Sequence, residues 1–168
     1  MNIKNSKGQT IVEAMVSMSI ALVGLLGVLS LTSRSMAFNN DMSQKFVSSY
    51  LAAEGIEIVK NLIDTNIVRS INWDSGINNV GPYEYEVDTS GIRGQFLSTN
   101  LKLNNGKYEY SIGVGTITPY MRKVIITKIN TDSKPADYEE IKVESVVLWK
   151  SRGSDMTVNV IDVFKRWR

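Results

Sequence analysis

Eighteen consecutive residues, Ala14 to Leu31, carry no charge and are mostly apolar. As a helix at 1.5 Å per residue they span about 27 Å, the thickness of a bilayer's hydrocarbon core. Between Gln9 and Ser33 the one charged residue is Glu13, while Met1 to Gly8 carries Lys4, Lys7 and no acid. Two cations before the apolar run and none within it orient the N-terminus towards the cytoplasm. The mean hydropathy of −0.09 averages this front end against a polar remainder and conceals it. Two other readings of such a run are a buried core helix and a secretory signal cleaved at Ser33-Arg-Ser35 or Ser35-Met-Ala37.

The position of the run at the N-terminus, behind a basic leader, weighs against a core helix, and Glu13 weighs against the secretory signal. A carboxylate in a membrane helix costs roughly 2.5–3.5 kcal/mol at its centre and less near an end, a cost for which a disposable signal has no use. It therefore marks a functional position.

The stretch Lys7-Gly-Gln-Thr-Ile-Val-Glu-Ala14 resembles the class III signal of type IV pilins and pseudopilins. The resemblance joins a basic leader, a glycine, a glutamate at the fifth position after it, and an uninterrupted apolar helix. It implies that prepilin peptidase cuts after Gly8, leaving Gln9 as the first mature residue with a methylated amine. It also implies that the helix, represented by Ala14, Ile20, Leu25 and Leu31, is retained as inner-membrane anchor and filament core. Glu13 would then pair with the α-amine of a neighbouring subunit, which compensates a carboxylate otherwise stranded among apolar helices. A simpler role for Glu13 is to sit at headgroup level or, with Thr10, to cap the helix start. The chain departs from the family in having Gln9 where an aromatic is usual. It also lacks a mid-helix proline, for which Gly24 and Gly27 offer a substitute.

From Leu31 to about Ile67 no proline occurs, and apolar residues recur at helical spacing: Phe38, Met42, Phe46, Val47, Leu51, Ile58, Val59, Leu62 and Ile63. That pattern predicts an amphipathic continuation of the helix, about 85 Å in all, with Gly55 admitting a close neighbour. Heptads are not sustained, which argues against a coiled coil. Ile71 to Pro82 is rich in turn formers. Strands are expected at Tyr83–Val87, Leu101–Leu103, Lys107–Ser111, Arg122–Ile129, Ile141–Lys150 and Met156–Phe164. Asn105-Gly106 makes a type I′ hairpin that sets Leu103 opposite Tyr108 and Leu101 opposite Tyr110, with Lys102 opposite Glu109 behind them. Lys150 to Asp155 connects the last two strands. The expected fold class is α+β: one long N-terminal helix, apolar then amphipathic, packed against a C-terminal antiparallel sheet, as in the pilin fold. The divisions are leader 1–8, membrane and filament-core helix 9–33, amphipathic continuation 34–67, and sheet head 68–168.

Composition narrows the function. With no histidine and no cysteine there is no Ser-His-Asp or Cys-His catalysis, no disulfide and no Cys/His zinc site. A net charge of +2 gives no bulk reason to bind nucleic acid. Asp132, Asp137, Glu139 and Glu140 around Pro135 match no calcium loop and read as a solvated turn. Gly113-Val-Gly115 is no phosphate loop. Lys165-Arg-Trp-Arg168 reads as a solvated chain end. Tyr83, Tyr85, Tyr108 and Tyr110 read as sheet packing. No enzyme, cofactor or metal is expected. Ala53–Asn61, Tyr120–Val124 and Val143–Val158 resemble pilus-modification minor pilins and small pseudopilins of type II secretion. The implied function is a structural subunit of a type IV pilus, type II secretion or DNA-uptake filament. Its implied partners are other pilins, the inner membrane, prepilin peptidase and the pilus assembly machinery, and the filament would lie outside the cell or in the periplasm. The alternative is a membrane-anchored extracytoplasmic binding domain that never polymerises.

Overall fold

A computed structural model describes residues 7–77, 81–110, 113, 115–129 and 139–166. One helix, α1 (Lys7–Val68), opens the chain. Its first part, up to Ser43, forms a unit of its own, and residues from Gln44 onward form the second, the head. No proline interrupts α1. Some of its hydroxyl side chains bond back within the helix: Ser19 Oγ to the Met15 carbonyl at 2.8 Å and Thr32 Oγ1 to that of Val28 at 2.9 Å.

In the head, α1 buries a stripe at three- and four-residue spacing: Ser48, Leu51, Ala52, Gly55, Ile56, Val59, Ile63 and Asn66. That stripe covers a five-stranded antiparallel sheet in the order β2-β1-β6-β7-β8. Its strands are β1 (Tyr83–Asp88), β2 (Gly91–Gln95), β6 (Met121–Ile129), β7 (Glu140–Ser151) and β8 (Ser154–Lys165). A three-stranded sheet, β4-β3-β5, lies beside it, made of β3 (Lys102–Asn104), β4 (Lys107–Glu109) and β5 (Thr116–Ile117). The expected α+β architecture is therefore present, but divided between two sheets.

The alternation of β7 places Ile141, Val143, Ser145, Val147 and Trp149 on the buried face. The Asn105-Gly106 hairpin forms in the expected register, with Leu103 opposite Tyr108 and Lys102 opposite Glu109. Both turn residues have positive φ, 49° and 80°, as type I′ geometry requires. Leu101 and Tyr110 are buried beyond its ends. All four tyrosines pack: Tyr85 and Tyr110 are buried, and Tyr83 and Tyr108 are half-buried against core clusters.

Three expectations need correction. Phe38, Met42 and Phe46 do not lie on the buried face; they are 63%, 52% and 63% exposed. The buried stripe runs through Ser48 and Ala52 instead, small residues that bring the helix backbone close to the sheet. The Lys150–Asp155 connection is shorter than expected, because β7 and β8 run on to Ser151 and Ser154 and turn through Arg152-Gly153. The glycine-containing strand β2 and the two-residue β5 gave no strand signal and were not anticipated. The segment after α1 is a turn region as expected, yet it contributes to the core. Trp73 and Ile77 are buried there, and Asn66 Nδ2 donates to the carbonyls of Trp73 at 3.1 Å and Ser75 at 2.8 Å.

Two apolar clusters flank a buried polar centre. Arg122 on β6 is fully buried. Its Nε and Nη2 donate to the Val87 carbonyl at 3.1 and 2.6 Å. Its Nη1 reaches the Leu51 carbonyl at 3.0 Å and Glu54 Oε2 at 2.8 Å. A Cβ on Gly55 would stand 2.4 Å from Ser145 Oγ and 3.2 Å from Arg122 Cδ, so the close approach expected at this glycine occurs here. Tyr110 Oη donates to the Arg122 carbonyl and accepts its N–H at 3.2 Å. Asp88, also fully buried, accepts from the Ser90 and Tyr110 amides and pairs with Arg93 Nε at 2.6 Å.

Burial pushes the Tyr110 hydroxyl up from 10.0 to about 12, against the lowering influence of Arg122. The folded head thus favours the neutral phenol more than the unfolded chain does. Its contribution is complete below pH 10 and is lost as pH rises from 10 towards 12, by up to about 1.4 kcal/mol per unit. Denaturant unfolding of the wild type should show that alkaline loss. Tyr110→Phe should be less stable at pH 8 and should lose less between pH 10 and 11.5.

Candidate assembly segment

The apolar half of α1 presents its side chains outward on every face. From Ile11 to Leu31 each large apolar residue is at least half exposed, Ile20 at 68%, Leu25 at 58% and Leu31 at 69% among them, and Ala14 is exposed as well. Among the described residues this is the one helix long and apolar enough to cross a membrane, with a mean hydropathy of 2.2 over its most apolar window. An apolar cylinder bare on all sides needs lipid or other helices as its surroundings. Its backbone groups are satisfied within the helix, as a hydrocarbon environment demands.

Glu13 stands exposed in the second turn of this helix, the one acid between Gln9 and Ser33. Gly8 and Gln9 fall in the first turn of α1, and their side chains lie outside the described residues. A Cβ added at Gly24 or Gly27 would meet open space, so the two glycines leave shallow notches in the apolar surface. The peptide bond expected to be cut, the carboxylate and the exposed apolar surface thus follow one another along a single helix.

The family described as the prokaryotic N-terminal methylation motif matches residues 3–29. The chain carries the class III signal of type IV pilin-family proteins. This signal supports a structural subunit of the pilin or pseudopilin type. It implies a substrate of prepilin peptidase that assembles with other subunits, and it agrees with a membrane-anchored N-terminal helix. No curated protein and no solved structure matches the chain.

Of the other residues singled out in the sequence, Asp132, Pro135, Asp137, Trp167 and Arg168 lie outside the described residues, as does Val114 between the two glycines of Gly113-Val-Gly115. Glu140 is engaged by Lys165 at 2.7 Å. Among the described residues no group of three acidic side chains converges as metal ligands. Sequence reasoning passed over the Arg122 centre, although a signal was present. Period-two alternation in Tyr120-Met-Arg-Lys-Val124 already puts Arg122 on the same face as Tyr120 and Val124.

Proposed function

We propose that this chain is a minor pilin or pseudopilin. Prepilin peptidase removes residues 1–8 on the cytoplasmic side, and the Gln9 amine is then methylated. Helix 9–33 holds the subunit in the inner membrane until the amphipathic continuation 34–67 and the sheet-bearing part 68–168 are carried with it into a filament. The filament belongs to a type IV pilus, a type II secretion system or a DNA-uptake machine. There the Glu13 carboxylate pairs with the α-amine of a neighbouring subunit and sets the axial register of the packed helices. The observation that carries this reading is the methylation motif matched at residues 3–29, followed along the chain by a helix whose apolar surface is exposed all round from Ile11 to Leu31. Major pilins often close a C-terminal loop with a disulfide; the absence of cysteine favours a minor subunit.

Cleavage tests it directly. The peptidase must bring its catalytic groups close to the backbone at residue 8, and a branched side chain there obstructs that approach. Gly8→Val should therefore accumulate as full-length precursor in the inner membrane, whereas wild type starts at Gln9 with one added methyl. A mature N-terminus at Met1 in the wild type makes the chain a plain membrane anchor. Normal maturation of Gly8→Val removes the signal assignment.

A further inference from the structure

The five-stranded sheet ends on a strand of 12 residues, β8, with no proline and no bulge. β7 pairs along one side of it, and among the described residues no strand lies along the other. Alternate residues of such an edge turn their N–H and C=O outward, where only water or another extended backbone can satisfy them. The opposite edge, β2, has five residues, glycines at positive φ, and a register shift against β1. It is protected by its short, irregular backbone, whereas β8 is regular and carries one inward-pointing charge, Asp162.

Asp162 gives the β8 edge a chemical preference. Its cross-strand partner is Val143, a core residue, so Asp162 projects on the helix side of the sheet between half-buried Val160 and Phe164. Its carboxylate accepts the Val163 amide at 2.8 Å, and no cation pairs with it among the described residues. At the C-terminal end of β8, Ile63, Ile67, Trp73 and Phe164 line an open pocket of about 500 Å³ whose wall carries Asp64 together with the cations Lys165 and Arg166. A wholly apolar strand laid on this edge would enclose the Asp162 carboxylate unpaired, at a penalty. A strand with a cation at that position would compensate it.

We propose that the open edge of β8 docks an extended segment of a partner protein that carries a lysine or arginine opposite Asp162 and apolar side chains on either side of it. Main-chain hydrogen bonds provide the affinity, and Asp162 provides the selection. A second copy of β8 does not meet this requirement. Its helix-side residues are Met156, Val158, Val160, Asp162 and Phe164, none of them cationic, and Lys165 points to the other face, onto Glu140. The proposal concerns the head and stands independently of filament assembly.

The test uses the full chain in detergent micelles and two labelled nine-residue peptides, Val-Thr-Val-Thr-Lys-Thr-Val-Thr-Val and the same peptide with glutamate at its centre. Binding is followed by fluorescence anisotropy and by amide hydrogen exchange of β8. The lysine peptide should bind at least about fivefold more tightly than the glutamate peptide, the scale of one cross-strand charge pair against a like-charge clash. It should also slow exchange along β8. Asp162→Lys should invert the preference and Asp162→Asn should abolish it. Equal binding of both peptides, unprotected β8 amides, or a preference unchanged in Asp162→Lys would overturn the proposal. So would self-association that protects β8 without peptide, because the occupant would then be a second copy.

Discussion

Arg122→Leu should destabilise the head by about 2–4 kcal/mol, a large share of the roughly 5–15 kcal/mol that holds a domain of ordinary size. The guanidinium makes four hydrogen bonds that join three elements: two to Val87 of β1, one to the Leu51 carbonyl and one to the Glu54 carboxylate of α1. Leucine replaces part of its volume with apolar atoms but leaves the buried Val87 carbonyl without both donors. Glu54 is one-third exposed and turns to water, so its loss contributes little. Arg122→Lys should fall between the two, because an ammonium lacks the planar fork that reaches β1 and α1 together. Urea unfolding followed by the fluorescence of buried Trp73 and Trp149 measures the difference. A cost under about 1 kcal/mol for Arg122→Leu would mean that the apolar clusters on either side hold α1 to the sheet without it.

Glu13→Leu should leave synthesis, insertion and cleavage intact while depleting the protein from sheared filaments by an order of magnitude or more. In an isolated membrane helix the substitution removes a costly group, so the membrane level should hold or rise slightly. In packed helices it leaves a neighbour's α-amine without a counter-charge, a loss of up to a few kcal/mol per contact, and each 1.4 kcal/mol is tenfold in incorporation. Membrane and filament levels are measured on the same cells, since their ratio separates failed assembly from failed expression. An unchanged ratio would leave Glu13 as a headgroup-level residue and remove the pairing from the proposed function.

Features governed by near neighbours were legible in the chain before any fold was known. The uncharged run from Ala14 to Leu31, the continuation of the helix to Val68 and the Asn105-Gly106 hairpin all follow from local periodicity and turn chemistry. So does the inward face of β7. The candidate assembly segment was legible for the same reason: leader, Gly8, Glu13 and apolar helix are consecutive. The tertiary structure alone decided which side of α1 beyond the apolar run meets the sheet. Spacing counted Phe38, Met42 and Phe46 with the buried face, yet close packing on β6 and β7 favours Ser48, Ala52 and Gly55, whose small side chains let backbones approach. It alone showed Arg122 as a buried residue, because the acceptors that make its burial tolerable lie 35 and 71 residues away in the chain. A charge is affordable in a core only where distant segments supply its partners, and no local pattern in the sequence carries that information.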